Sequence, residues 1–350
     1  MNALKLIFPS LLLVVNSFAQ DPNYSQFYNN PVYYNPAMTA INNGMTFRSN
    51  ARNLWGPIPG KFNTYSATFE SQSAYKMGLG LNCFSDVAGE GLLRTNAAYL
   101  SYSYRPIDTR NFILQAGLSG GFISKGIDWS KFTFSDQYDE TMGLVRPSNF
   151  ISPATKTIQY ADFGTGIVLR FNGAPRFARQ VLQHYTITAG GSINHLSQPK
   201  DAFMGNDQYL PMKIVGHLNA ILSFNEKIMQ PGFIIEHQNQ FRTITVGTNF
   251  INRPLILGVW FRNRTFAMTG NQFDSFIFTI GVRLPDRNHM SWKIMYNYDF
   301  TTSKLRTSSF GSHEITLVMD WENKVLFQGR VARSALRRQY QCPKNFSGYQ

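Results

Sequence analysis

Apolar and polar residues alternate one for one along most of this chain, and a period of two describes a β-strand and not a helix. In ADFGTGIVLRF, Ala161, Phe163, Thr165, Ile167, Leu169 and Phe171 form one face, and Asp162, Gly164, Gly166 and Arg170 the other. The same arithmetic sets Met212, Ile214, Leu218 and Leu222 against Lys213, His217, Asn219 and Ser223, and Phe276, Phe278, Ile280 and Val282 against Ser275, Thr279, Gly281 and Arg283. One face is apolar; the other is polar and rich in glycine.

The alternation predicts strands over 44–53, 62–72, 74–86, 92–105, 110–124, 157–171, 183–196, 212–225, 231–238, 241–250, 254–262, 274–284, 290–300 and 312–322. Fourteen is an even number, and most of these segments reach the nine or so residues that a tilted transmembrane strand needs. No stretch after residue 20 approaches the roughly 18 consecutive apolar residues of a membrane helix. The links alternate in length. Those at 53–61, 87–91, 125–156, 197–211, 263–273 and 301–311 are mostly long, whereas those around Gln72–Ser73, RPIDT, NEKIMQ, NRP and LPDRNH are shorter, with NGAPRFARQVLQ at 172–183 the exception. Short periplasmic turns and long external loops are the pattern of an outer-membrane barrel.

A secreted β-sandwich also alternates. Its exposed faces, however, carry many Lys and Glu, and charged residues are only 15% of this chain while aromatics are another 15%. Tyr102, Tyr104, Trp260, Phe261, Tyr296, Tyr298, Phe300 and Trp321 lie near strand ends, where an aromatic girdle would sit. The expected fold is therefore all-β, a transmembrane antiparallel up-and-down barrel of about fourteen strands. Its polar face would line the lumen, with Arg94, Arg105, Arg170, Lys213, Arg283 and Lys293 opposed by Glu70, Asp162, Glu236, Asp299 and Glu314. That lining suits either a charge-paired plug or a selective pore.

Residues 1–19, MNALKLIFPSLLLVVNSFA, read as a cleaved secretory signal peptide: Lys5, a short apolar run from Leu6 to Val15, then Ser17 and Ala19. Four parts follow: the leader 1–19, an N-terminal arm 20–43, a barrel 44–322 and a basic periplasmic tail 323–350. Two cysteines, Cys83 and Cys342, make no disulfide scaffold. The +13 formal charge would suit nucleic acid in a cytosolic protein; export removes that partner and leaves anionic lipid headgroups or acidic proteins.

The arm, QDPNYSQFYNNPVYYNPAMTA over 20–40, carries four tyrosines and three prolines. Pro22, Pro31 and Pro36 argue against a helix there, and Tyr and Asn make a conformable hydrogen-bonding strip. It is expected to be non-helical and to fold back on the barrel at its periplasmic mouth or inside its lumen; a disordered leader is the alternative.

Catalytic patterns are missing. None of His184, His195, His217, His237, His289 and His313 sits in HExxH, no GxSxG elbow precedes a helix, and nothing in the sequence calls for a cofactor or a metal. His217 and Glu236, with Ser223 near them, are the one arrangement that a barrel hydrolase could use.

Several segments together resemble the PorP/SprF family of outer-membrane proteins from the type IX secretion and gliding machinery of Bacteroidetes. These are the arm, above all Ser25-Gln26-Phe27-Tyr28 and Tyr34-Asn35-Pro36-Ala37, then RNLWGPIPGKFNTYSATFE at 52–70, FTFSDQYD at 132–139, INHLSQP at 193–199, YNYDF at 296–300 and GSHEITLV at 311–318. Thr39-Ala40 and Glu70 depart from the family's pattern. The resemblance implies a barrel that is not an enzyme and that supports export or surface anchoring of a cell-surface protein such as a gliding adhesin. A general porin or small-solute channel is the alternative.

The partners implied are a secreted cell-surface protein or its C-terminal signal domain, periplasmic secretion or peptidoglycan-anchoring components, and outer-membrane lipid, with no nucleic acid. Contacts are expected from Tyr24, Phe27, Tyr28, Tyr34 and Asn35 in the arm, from Trp129, Phe132, Phe134 and Tyr138 in the longest external loop, and from Arg333, Arg337 and Arg338 in the tail. A merely protective loop is the alternative for 125–156.

Overall fold

The computed structural model describes residues 21–321 apart from 43, 57–61, 75, 90–92, 140, 146, 150–156, 176–181, 204–207, 226, 264–272, 288–289 and 303–309. The leader 1–19 and the tail 323–350, with Arg333, Arg337, Arg338 and Cys342, therefore lie outside the described residues.

Fourteen strands run in chain order around the wall: β1 (Met45–Leu54), β2 (Phe62–Ala74), β3 (Met77–Ala88), β4 (Leu93–Asp108), β5 (Phe112–Ile127), β6 (Thr157–Gly173), β7 (His184–Asn194), β8 (Lys213–Phe224), β9 (Lys227–Gln238), β10 (Phe241–Asn252), β11 (Leu255–Asn263), β12 (Phe273–Arg287), β13 (Met290–Thr301) and β14 (Ser312–Trp321). Each pairs antiparallel with its sequence neighbours, and β14 returns to β1, with Met45 opposite Trp321 and Leu54 opposite Ser312. Closure leaves no unpaired sheet edge along the span, which is what hydrocarbon requires of a strand-built protein.

Every predicted strand is present, and the differences lie at the ends. Pairing continues through Pro106, Pro231 and Pro285, so the turns expected at RPIDT, NEKIMQ and LPDRNH are shorter than predicted. The ladder shifts register between Tyr104 and Ile107 and between Leu284 and Arg287, where bulges absorb the proline. At Pro231 the β8–β9 ladder skips its neighbouring rungs and resumes in the same register, Asn219 opposite Gly232 and Leu222 opposite Met229. Among the long-loop links, that between β9 and β10 is only Asn239–Gln240, a tight turn with Asn239 at φ 53°.

The alternation separates two environments. Leu100, Leu118, Phe122, Phe163, Leu257, Phe278, Ile280 and Ile315 lie outward, each at least half exposed, and together form the lipid-facing band. Thr68, Asn82, Gln115, Asn297, Glu314 and Thr316 are buried inside. Two expectations are corrected here. Arg94 lies on the exposed outer face of β4; it stands eleven residues before the buried Arg105, and an odd separation puts two residues on opposite faces of a strand. Trp260, expected in the girdle, is fully buried in the lumen.

Candidate functional site

The lumen is filled by the chain's own arm. The expectation of an arm without helix holds for anything longer than a single turn: Phe27–Asn29 and Pro36–Met38 are 3-10 turns, and Pro31–Tyr34 is one α-turn. Pro31 and Pro36 open the last two, a position where the missing N–H costs nothing and the fixed φ helps. Asn35 caps the third turn, its Oδ1 accepting from the Ala37 N–H at 2.9 Å.

The arm descends from the long-loop half of the barrel to the short-turn end. Near the top, the Ser25 N–H donates to Glu314 at 2.7 Å, the Tyr24 carbonyl accepts from Arg262 at 2.7 Å, and the Asn23 carbonyl accepts from Arg52. Midway, Asn30 Oδ1 accepts from Thr68 and Asn82, and Asn35 Nδ2 donates to the carbonyls of Ile167 and Gly191 at 3.2 Å. At the bottom, Thr39 O accepts from Gln115 and Ser103, the Ala40 N–H donates to Glu70 at 2.7 Å, and Arg170 reaches Asn42 at 2.9 Å. Tyr24, Phe27 and Tyr34 pack with Trp260, Val215, Ile234 and Ile277 into one buried cluster.

Wall glycines give the arm its room. A Cβ on Gly117 would overlap the backbone of Pro36 and Ala37, and one on Gly166 would strike the Asn35 side chain. The polar, glycine-rich face in the sequence is thus the seat of a peptide.

At its upper end the arm is clamped by charge. His195, one residue beyond β7, meets Asp162 through Nδ1 and Asp21 through Nε2, both at 2.8 Å, so both ring nitrogens donate and the ring is an imidazolium. Burial opposes that charge, but Asp21 and Asp162 outweigh it and lift the ring from 6.5 to about 10. Burial likewise opposes ionised Asp21, and His195 followed by Lys213 outweighs it, holding the carboxyl below the usual range. The raised His195 contributes stability that is complete below its ordinary value and lost as pH rises through about 10. The depressed Asp21 contributes stability present above the ordinary carboxylate value and lost as pH falls through its lowered one. A nitroxide at Asn23→Cys is therefore expected to stay immobile at neutral pH and to gain mobility as pH passes about 10, and His195→Gln should abolish that alkaline transition.

Above the arm lies a vestibule of about 1090 Å³, floored by Asp21, Pro22, Asn23 and Tyr33 and walled by the upper ends of the strands. The long connections leave from those strand ends. Within the longest of these, Trp129, Phe132 and Phe134 form a half-buried aromatic row, with ring centroids 5.4 and 6.2 Å apart. Tyr138 is exposed and starts a two-residue ladder, Tyr138–Asp139 with Gly143–Leu144, that periodicity did not reveal.

The arm residues predicted as contacts, Tyr24, Phe27, Tyr28, Tyr34 and Asn35, are brought together inside the lumen, where Tyr28 Oη donates to the Pro231 carbonyl at 2.9 Å. The loop residues form a separate group. His195, Arg52 and Arg262 were not anticipated: Arg52 and Arg262 stand at a lumen-facing parity, whereas His195, three residues beyond the buried Ser192, stands at the opposite one and is buried with a left-handed backbone at φ 59°. His217 and Ser223 are six residues apart on β8, about 20 Å along a strand, and His217 Nε2 lies 3.1 Å from Asn35 Nδ2. They form no catalytic pair.

Residues 16–319 match the model of the type IX secretion system membrane protein PorP/SprF family. The chain belongs to that family. Its fold and membership are those of an outer-membrane secretion-system barrel and not of an enzyme family. Solved structures similar to it include the Pseudomonas putida toluene transporter TodX (8% identity, 83% of this chain and 92% of that one, TM-score 0.42), the translocator domain of the Neisseria meningitidis autotransporter NalP (10%, 79% and 87%, 0.35) and a Pseudomonas aeruginosa FadL homologue (11%, 82% and 92%, 0.39). No curated protein matches the sequence.

Proposed function

We propose that this PorP/SprF barrel is a non-enzymatic outer-membrane subunit of type IX secretion that supports export or surface anchoring of a cell-surface protein such as a gliding adhesin. A signal peptide cleaved after Ala19 delivers it, and the basic tail, with Arg333, Arg337 and Arg338, meets acidic periplasmic components or anionic headgroups. The observation that carries the reading is the occupied lumen: residues 21–41 fill the bore and are bonded to its wall at the top, middle and bottom. A barrel so filled is poor as a diffusion pore and well suited as a rigid anchor, with the half-buried aromatic row of its longest loop and the exposed Tyr138 as the cargo contact.

Purification from the native membrane with a tagged tail should bring down a very large secreted protein, and Trp129→Ala/Phe132→Ala/Tyr138→Ala should reduce its yield severalfold while leaving the barrel's heat-modifiable migration unchanged. A barrel that purifies alone and passes a large steady current would instead establish a general channel.

A further inference from the structure

We infer that the vestibule above the arm binds an extended, uncharged polypeptide segment of an outside partner, carrying aromatic or aliphatic side chains on one face. This rests on the export or anchoring role proposed above and adds the place where the partner is held and its chemistry.

The wall around the arm already shows how this barrel recognises a peptide. Glu314 and Glu70 accept from main-chain N–H groups of the arm, while Arg262, Ser192 and Gln115 donate to its carbonyls. The vestibule continues the same wall upward. At its floor Arg52 and Arg262 converge on Asp299 Oδ2, at 2.9 and 3.1 Å. Three buried polar atoms there lack a partner: Arg52 Nε, Asp299 Oδ1 and Ser275 Oγ. They amount to one donor, one acceptor and one hydroxyl, and a buried polar group left unpaired is costly. A peptide group, which offers a carbonyl and an N–H together, satisfies such a set.

Beside that floor the cavity lining turns apolar, with Leu54, Trp55, Phe62, Phe84 and Ile123. Three cations of the lining are committed to carboxylates, Lys125 to Asp201 at 2.6 Å, Lys213 to Glu236 at 2.9 Å and His195 to Asp162 and Asp21, and Arg242 is engaged as well. A polyanion would need surplus positive charge, and a hydrocarbon would leave Arg52 Nε, Asp299 Oδ1 and Ser275 Oγ without partners. With the leader cleaved after Ala19, as proposed above, only Gln20 precedes Asp21, so the occupant comes from outside the arm.

Three fluorescently labelled probes added to the full barrel in detergent micelles test this by fluorescence polarisation: an end-capped heptapeptide alternating Thr and Phe, one alternating Thr and Asp, and a sulfated hexasaccharide. The Thr/Phe peptide is expected to bind saturably, and the Thr/Asp peptide about tenfold more weakly or not at all, a gap of about 1.4 kcal/mol. Thr95→Trp, which fills the cavity from a wall position away from the arm, should weaken the Thr/Phe peptide by at least about tenfold with heat-modifiable migration unchanged. Ser275→Val should weaken it severalfold and serves as the second variant should Thr95→Trp misfold. Absence of Thr/Phe binding, binding unaffected by both variants, or tighter binding of the hexasaccharide would overturn the inference. If the large secreted protein still copurifies in that case, the anchoring role stands and only the vestibule site is refuted; if copurification fails while the peptide binds, the reverse holds.

Discussion

Replacing Gly117 by leucine is expected to drive the arm out of the lumen. The β5 backbone at this position lies directly under the Pro36–Ala37 turn, so any Cβ would overlap main-chain atoms that have nowhere to retreat. Gly117 pairs with Ser103 on β4 and Gly166 on β6, which pins the wall from both sides. The wall cannot yield without breaking the ladder, so the arm must. Ala37 is fully buried, so a cysteine placed there, with Cys83 and Cys342 changed to serine, should resist a bulky maleimide in the parent. In the Gly117→Leu background it should label to completion. Labelling as slow as in the parent would show that the arm is not seated on β5.

Truncating Trp260 to alanine is expected to be the most destabilising single change in the lumen. Its indole is fully buried, donates from Nε1 to Asn249 Oδ1 at 2.8 Å, and meets the rings of Phe27 and Tyr28 edge-on, with centroids at 6.1 and 5.4 Å. Loss of an aromatic of this kind leaves a cavity worth about 3–5 kcal/mol. Asn249 would also lose a partner. The lipid-facing band is untouched by the change, so the barrel should still insert while its heat-modifiable migration shifts to a clearly lower unfolding temperature. Trp260→Phe should restore part of the loss; no shift for either variant would refute the packing of the arm on β11.

The barrel could be read from the sequence because lipid on one side and a polar lumen on the other impose a strict period of two, and that period survives without any tertiary information. The prolines misled at the strand ends, since Pro106, Pro231 and Pro285 look like turns until the partner strand shows a bulge or a skipped rung to hold them. The arm was legible as a conformable strip of Tyr and Asn, whereas its path was not. Nothing local says that Glu314, distant by 289 residues, would accept the Ser25 N–H. The lumen side of the same contact left a trace that parity could have used: Gly117 and Gly166 stand on the polar face, where small residues mark space kept for another backbone. The clamp around His195 was hidden because a lone histidine at a strand end carries no motif, and its two carboxylates come from the arm and from β6.

Everything proposed here depends on the arm sealing the bore. Single-channel recording in planar bilayers, comparing the full protein with a variant lacking residues 22–41, tests that most directly. The full protein should show no steady open state and the deletion a large, persistent current. Equal currents from the two would contradict that seal.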